Sequence, residues 1–550
     1  MNRKKSWYVR LSLVVGIIVI GSLSTLITGC SGRSSEYAFD VLLKGGTIYD
    51  GTLKKPYVAD IGIKGDKIMA IGDLTGKAEK TIDARGYIVT PGFIDVHNHS
   101  DIVFKNTGVT RYTVDVTPEW KGNYNYLYQG VTTIVTGNCG WGFTDTDQWF
   151  GLVDSMKFGT NVYTLVPHGD IRNELFGEEN PQALNRGQLE ALKNRVEEEM
   201  QKGAIGFSTG LEYAPGCMST TEELVEIAKV VKKYGGIYAT HIRDLTGTIH
   251  ENGQPGVLEA IKEAIEIGRS ADIPVHIGHI QVNAPQNQVT ASQVLKLIED
   301  ARREGLDVTC DAYPYAAGNT WITMLTPPKY KTSTGIREEY KTPEGRAELK
   351  KAVEHTFSYL GPEKVMINLF PEKESYEGKT IQEIAETEGK EPSQVYVELA
   401  CADRAPMCIF HDQDIQIVKG LMPHEYLFTA SDGWVIPQGS DVPHPRCYGT
   451  FPKKIRKYVL EEKLMSLNDA IRSMTSLPAE KFKMNHRGKI AVGYYADIAV
   501  MDLGTIDAPA TYEDPEQYSQ GIVYLLINGV LSMENGEATG KTGGRALRRS

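Results

Sequence analysis

A chain of 550 residues is too long for one small binding module and predicts three or four domains, or one large barrel with additions. With 41% hydrophobic, 23% charged and 9% aromatic residues it can build a sizeable core, and its composition is neither collagen-like, low-complexity nor disordered. A formal net charge of -11 argues against nucleic acid as a partner.

Arg3, Lys4 and Lys5 precede an apolar run over residues 11–27, shorter than a comfortable membrane span of about 20 residues, that ends Ile27-Thr28-Gly29-Cys30. The pattern resembles a bacterial lipoprotein signal. Residues 1–29 are then the expected signal peptide, Cys30 the lipidated first residue and 30–37 a polar tether, with a plain transmembrane anchor as the alternative. In either case the body is expected to be exported and held at a membrane, on its periplasmic or cell-surface side. Of seven cysteines six remain after Cys30, and Cys401 with Cys408 are the pair first expected as a disulfide.

Short alternating segments at 41–44, 47–49, 60–64 and 67–71, cut by Gly45-Gly46 and Gly65-Asp66, predict a small β unit. Between this unit and the C-terminus lie eight apolar strand-like runs: 92–99, 131–139, 162–169, 204–210, 237–243, 274–280, 307–313 and 425–432. Helical spacing is clear at 188–202, at 222–234 behind Thr220-Thr221-Glu222-Glu223, at 257–270 and at 292–305. Eight such units predict an α/β fold, a (β/α)8 barrel over about 91–484. The seventh and eighth strands are far apart. The intervening insertion, about 316–402, holds helical patterns near 344–360 and 380–402 and is expected to act as a lid or substrate domain. Strand patterns return at 496–501, 523–527 and 530–533 with the hairpin signal Asn528-Gly529, so residues 38–90 and 485–545 are expected to form one β-sandwich from both chain ends.

Active sites of this barrel sit where the strands end. The first run ends Asp95-Val96-His97-Asn98-His99, and strand alternation puts His97 and His99 on one face with Asn98 on the other. Cys139 ends the second, His241 the fifth, His279 the sixth and Asp432 the eighth. Singly, a buried cysteine or a strand-end histidine is ordinary. Together at one rim they are expected to form a metal site. His279 is preferred to His276 because it lies nearer the strand end, and His168 is expected to line the pocket without touching metal. His250, His355, His411, His424, His444 and His486 are taken as surface or structural residues. Mixed imidazole, thiolate and carboxylate donors suit zinc, which acidifies bound water to a pKa of about 7 and so gives a hydroxide nucleophile. Asp432 is placed to take that water's proton and hand it to a leaving nitrogen as general base and acid.

Gly92 to His99, Gly130-Val131-Thr132-Thr133, Gly137-Asn138-Cys139-Gly140, Ser208 to Tyr213, Asp311-Ala312-Tyr313-Pro314-Tyr315, Ser431-Asp432-Gly433 and His444-Pro445-Arg446 resemble the N-acyl-D-amino-acid deacylase (D-aminoacylase) family of the amidohydrolase superfamily, over about residues 40 to 545. The resemblance implies a barrel with a two-ended sandwich. It implies one tight zinc on Cys139, His241 and His279, and a weaker second site at His97, His99 and Asp432 that Cys139 can bridge. It further implies that Arg446, Tyr213 and Tyr313 bind the substrate carboxylate. Two positions depart from the family: Gln281 stands where a lysine is usual and Asn319 where a serine is usual, so the acyl group or side chain accepted is expected to differ. The fourth strand has none of the carboxylated lysine that bridges metals in cyclic amidases. The expected activity is zinc-dependent hydrolysis of N-acyl-D-amino acids to a carboxylate and a free D-amino acid. Alternatives are a dipeptidase on D-amino-acid-containing peptides, a cyclic amidase, and a non-catalytic ligand-binding lipoprotein. The expected partners are a small-molecule substrate and a membrane reached through the lipid anchor; oligomeric state and D-against-L selectivity are left open.

Overall fold

The computed structural model describes residues 37–105, 118–177, 180–181, 183–246, 249–283, 289–325, 333–439 and 442–549. The expected signal peptide and Cys30 lie outside the described residues, among which no helix is long and apolar enough to cross a membrane.

Eight parallel strands form the centre: Phe93–Asp95, Val131–Thr136, Asn161–Thr164 continued by Val166–Pro167, Gly206–Gly210, Ile237–His241, Val275–Ile277, Val308–Ala312 and Leu427–Thr429. A parallel bridge between Asn98 and Gly433 closes the ring. There the His99 N–H donates to the Gly433 carbonyl at 2.8 Å and the Asp432 N–H to the His97 carbonyl at 2.9 Å. The expected (β/α)8 barrel is thus sealed by the residues that bear its candidate chemistry. The strands are buried along their whole length, which is why they read as near-continuous apolar runs.

Helices Arg186–Gln201, Thr221–Lys233, Gly256–Ala271 and Ala291–Arg303 follow strands three to six. Asn185 with Gln188 and Thr290 with Gln293 form reciprocal capping boxes, and the Thr220 side chain accepts from the Glu223 N–H, so each start is fixed by a local hydrogen bond. Their apolar stripes, including Leu192, Ile227, Ile261 and Ile298, pack on Val166, Phe207, Tyr238 and Val308 of the strands in one core.

Between the seventh and eighth strands an antiparallel sheet sets Met407–Phe410 between Gly318–Trp321 and Val365–Leu369. Its central strand lies beyond residue 402. Leu349, Val353, Ile384 and Tyr396 from its helices complete a separate core with Ile322 and Ile367. The pattern over 380–402 resolves into two helices, Ile381–Glu388 and Pro392–Ala400, because Gly389 turns left-handed at φ 63 and Pro392 opens the next helix. The expected disulfide is corrected here: the six described cysteines are free, Cys408 lies in mid-strand inside this core, and the Cys401 thiol faces the Ile336 carbonyl at 3.9 Å.

The two chain ends meet in one nine-stranded sheet. Ile498–Met501 runs antiparallel to Ile88–Pro91 at the joint, over a core that includes Leu43, Ile61, Val89, Ile498 and Leu526. Asn528 and Gly529, at φ 49 and 77, make the hairpin that the Asn-Gly pair predicts.

Candidate metal centre

The strand ends bring His97, His99, Cys139, His241, His279 and Asp432 to one rim, all buried. From Cys139 Sγ, His97 Nε2 lies at 3.2 Å, His279 Nε2 at 3.6 Å and His241 Nδ1 at 3.8 Å. Asp432 Oδ1 lies 3.2 Å from His99 Nε2 and 3.5 Å from His97 Nε2. Two donor groups therefore share His97, namely His97, Cys139 and His279, and His97, His99 and Asp432, the atoms of each within 4.8 Å. His241 reaches the first group through Cys139. A tetrahedral zinc with N and S ligands at its usual bond lengths sets N and S about 3.6 Å apart, so the observed spacings fit such an ion. Asn98 turns away as expected, donating to Asp95 Oδ2 at 3.0 Å.

Three of the donors sit on strained backbone: φ is 53 at Cys139, 30 at His279 and 52 at Asp432. Left-handed conformations of this kind cost roughly 1–3 kcal/mol each in non-glycine residues and persist where the surroundings impose them. Beside them Gly278 has no space for a side chain, since a Cβ would stand 2.6 Å from His97 Cε1. Glycine there lets the imidazole approach the sixth strand's end closely.

Two carboxylates to which the sequence assigns no role, although both stand in the motifs above, orient the imidazoles. Asp311 Oδ2 lies 3.3 Å from His97 Nδ1 and 2.9 Å from His276 Nε2, while its Oδ1 accepts the His279 backbone N–H at 2.7 Å. Glu212 Oε2 holds His241 Nε2 at 3.0 Å. Such partners fix tautomer and ring direction, leaving His97 Nε2 and His241 Nδ1 aimed at Cys139. His276 is thereby used inside the barrel, below the donor cluster.

Charge follows from this packing. Burial disfavours the Cys139 thiolate, but His97, His241 and His279 outweigh it and hold the thiol well below its ordinary range. Burial likewise opposes charge on His99 and His241, yet Asp432 and Cys139 around the first, and Cys139 and Glu212 around the second, push both up to about 9. Asp432, against its burial, is held well below the carboxylate range by Arg446, His279 and His97. A buried thiolate and three carboxylates, Asp311, Glu212 and Asp432, demand more positive charge than Arg446 gives, which imidazolium protons or a divalent cation can supply.

Arg446 Nη1 approaches Asp432 Oδ2 at 2.7 Å, a meeting of charges without the alignment of a hydrogen bond, and its guanidinium lies 4.8 Å over the Tyr313 ring. Tyr313 donates to Gln281 Oε1 at 2.7 Å, so Gln281 steadies the ring beneath Arg446. Tyr213 meets Thr320 Oγ1 at 3.1 Å, and Asn319 donates to Asn368 Oδ1 at 2.7 Å. A cavity of about 790 Å3 opens over the donors, with Tyr213, Asn319, Asp432 and Arg446 in its wall. His168 is corrected: it opens helix His168–Phe176 and is wholly buried against Glu223 at 3.0 Å, away from that wall. His444 is also buried; its Nδ1 accepts the Arg446 N–H at 3.0 Å and its Nε2 faces the Ala317 carbonyl at 3.0 Å.

A family model described as an amidohydrolase family matches residues 394–532. The D-aminoacylase of Alcaligenes xylosoxydans xylosoxydans is 32% identical over 542 residues, covering 94% of this chain and 99% of its own. A structure of N-acyl-D-glutamate deacylase from Bordetella bronchiseptica, complexed with zinc and a phosphonate mimic of the tetrahedral intermediate, is 28% identical with a TM-score of 0.77, covering 93% of this chain and 99% of its own. A D-aminoacylase structure concerned with a binuclear metal centre, one-metal activation and second-metal attenuation, is 30% identical with a TM-score of 0.76, covering 93% and 100%. Extended over nearly the whole of both chains, this similarity places the protein in the D-aminoacylase family of the amidohydrolase superfamily.

Proposed function

We infer that the protein is a zinc-dependent N-acyl-D-amino-acid deacylase, releasing a carboxylate and a free amino acid. The observation that carries this reading is the clustering of Cys139, His97, His241 and His279 with Asp432 under Arg446 at the floor of one cavity. Cys139, His241 and His279 would hold the tight zinc and His97, His99 and Asp432 a weaker second ion. Bound zinc acidifies water and polarises a carbonyl. The zinc complex of the Bordetella deacylase and the binuclear centre of the related D-aminoacylase support the assignment.

The chain's own residues account for the rest. Arg446 takes the substrate carboxylate as a planar cation facing a planar anion, its Nε and Nη1 making no hydrogen bond among the described residues. Arg446 also faces Asp432, so a carboxylate that draws on its charge makes Asp432 more basic when substrate is bound. Asp432 Oδ1 takes the proton of the attacking water, and as the C–N bond breaks delivers it to the departing nitrogen.

Cyclic-amidase chemistry is not favoured, because the fourth strand offers Ser208, which accepts from the Gly140 N–H at 3.0 Å, and no lysine. Asp432→Ala tests the reading: turnover of N-acetyl-D-leucine falls at least about 10³-fold while the tight zinc is retained. Near-normal turnover in that variant would rule out the proton role.

A further inference from the structure

We propose that the preferred substrates carry an extended apolar N-acyl chain, of fatty-acyl rather than acetyl length, laid along the face that the insertion turns to the cavity. The proposal rests on the deacylase reading above and names its substrate class.

Size is the first observation. A cavity of about 790 Å3 falls in the range of roughly 300–1,000 Å3 that encloses drug-sized ligands. It would take about 26 groups of water's liquid volume of roughly 30 Å3, around twice the non-hydrogen atoms of N-acetylleucine. An acetyl substrate anchored at Arg446 leaves much of that space unused.

The second observation is the polarity of the walls. Arg446, Asn319, Thr320 and Tyr213 make the side next to the expected carboxylate polar. Beyond them the insertion's sheet presents a row across its three strands: Trp321 stands opposite Met407, and Leu369 opposite Met407 on the other side. All three line the cavity, and Trp321 and Met407 are only partly buried. Met407 packs in turn against the cluster of Val103 and Trp434, and Trp434 lies two residues past Asp432. An apolar row therefore starts beside Asp432 and runs outward along the insertion, flanked at the cavity wall by Arg337, Asp403 and Arg404.

The order of groups in the substrate decides which part uses the row. The amino-acid side chain branches from the carbon bearing the carboxylate and stays near Arg446. The acyl chain leaves the reacting carbon, at Asp432, where the row begins. A peptidyl group would need an acid for its ammonium: Asp170 in the same wall is already held by Lys105 at 2.7 Å, and Asp403, on the insertion, is the acid that glycyl-D-leucine tests below.

Burial of one methylene is worth about fourfold in affinity. The test is kcat/KM of the full chain, loaded with zinc, on N-acetyl-, N-butanoyl-, N-octanoyl- and N-dodecanoyl-D-leucine, with glycyl-D-leucine alongside. The octanoyl compound is expected to exceed the acetyl compound by at least about tenfold, and Trp321→Ala to flatten that ratio. Cleavage of N-acetyl-D-leucine with a flat or falling chain-length series overturns the proposal and leaves the deacylase reading standing. Glycyl-D-leucine as the best substrate overturns it in favour of a peptidyl group, and no cleavage of any N-acyl compound overturns both.

Discussion

Arg446 Nη1 stands 2.7 Å from Asp432 Oδ2, so the cation expected to hold the substrate carboxylate touches the group expected to move the proton. Binding and chemistry are coupled through that contact. Arg446→Gln is therefore predicted to lower kcat/KM by about 10²-fold or more, with both kcat and KM affected, since charged hydrogen bonds are worth about 1.5–3 kcal/mol each. A rise in KM alone, with kcat unchanged, would show that Arg446 binds substrate without acting on Asp432.

Cys139 is approached by three imidazoles between 3.2 and 3.8 Å. Cys139→Ala is predicted to remove the tight zinc and with it turnover, while the fold remains. Metal content after gel filtration, beside the circular-dichroism spectrum, decides the matter. Full zinc occupancy in the variant contradicts the assignment.

Glu212 and Asp311 fix His241 and His97 through the ring nitrogens that face away from Cys139. Glu212→Gln is predicted to weaken zinc affinity about 10- to 100-fold in a chelator competition, as loss of a partner behind a ligand does elsewhere. Unchanged affinity would mean that the Glu212 contact is incidental.

Lys454 is buried with its ammonium on Thr429 Oγ1 at 2.8 Å and Ser473 Oγ at 2.9 Å. Burial pushes its pKa down from 10.5 to about 7. The unfolded chain thus binds more protons between about pH 7 and 10.5, so this group's contribution to stability improves as pH rises through that window and its cost is complete below it. Lys454→Met is predicted to raise the unfolding temperature most at pH 6, by an amount on the order of a few kcal/mol in stability, with the gain shrinking toward pH 10. A gain independent of pH would contradict the buried-charge account.

The barrel was legible because parallel strands, buried throughout, read as apolar runs, and because their ends carry the polar residues. His279 was found by position rather than alternation: its strand ends at Ile277, and the left-handed turn that follows is what swings the ring toward Cys139. Asp311 and Glu212 were not legible as orienting groups. The pairing of His97 with Asp311 spans 214 residues, and one sequence holds no record of which distant carboxylate meets which imidazole. The row of Trp321, Met407 and Leu369 was hidden for the same reason, since it exists only in the register of three strands drawn from distant segments. The expected Cys401–Cys408 disulfide is absent because short spacing says nothing about direction: the Cys401 thiol faces the Ile336 carbonyl and Cys408 faces a core.

The central claim is D-selective amide hydrolysis at a zinc site built on Cys139, and the most direct measurement is amino-acid release from N-acetyl-D-leucine and N-acetyl-L-leucine, with zinc determined on the same preparation of residues 31–550. Release from the D compound in strong preference to the L compound, with at least one zinc per chain, is the predicted result. Preferred release from the L compound, or zinc at full occupancy with no release from the D enantiomer of either the acetyl or the octanoyl compound, would contradict it.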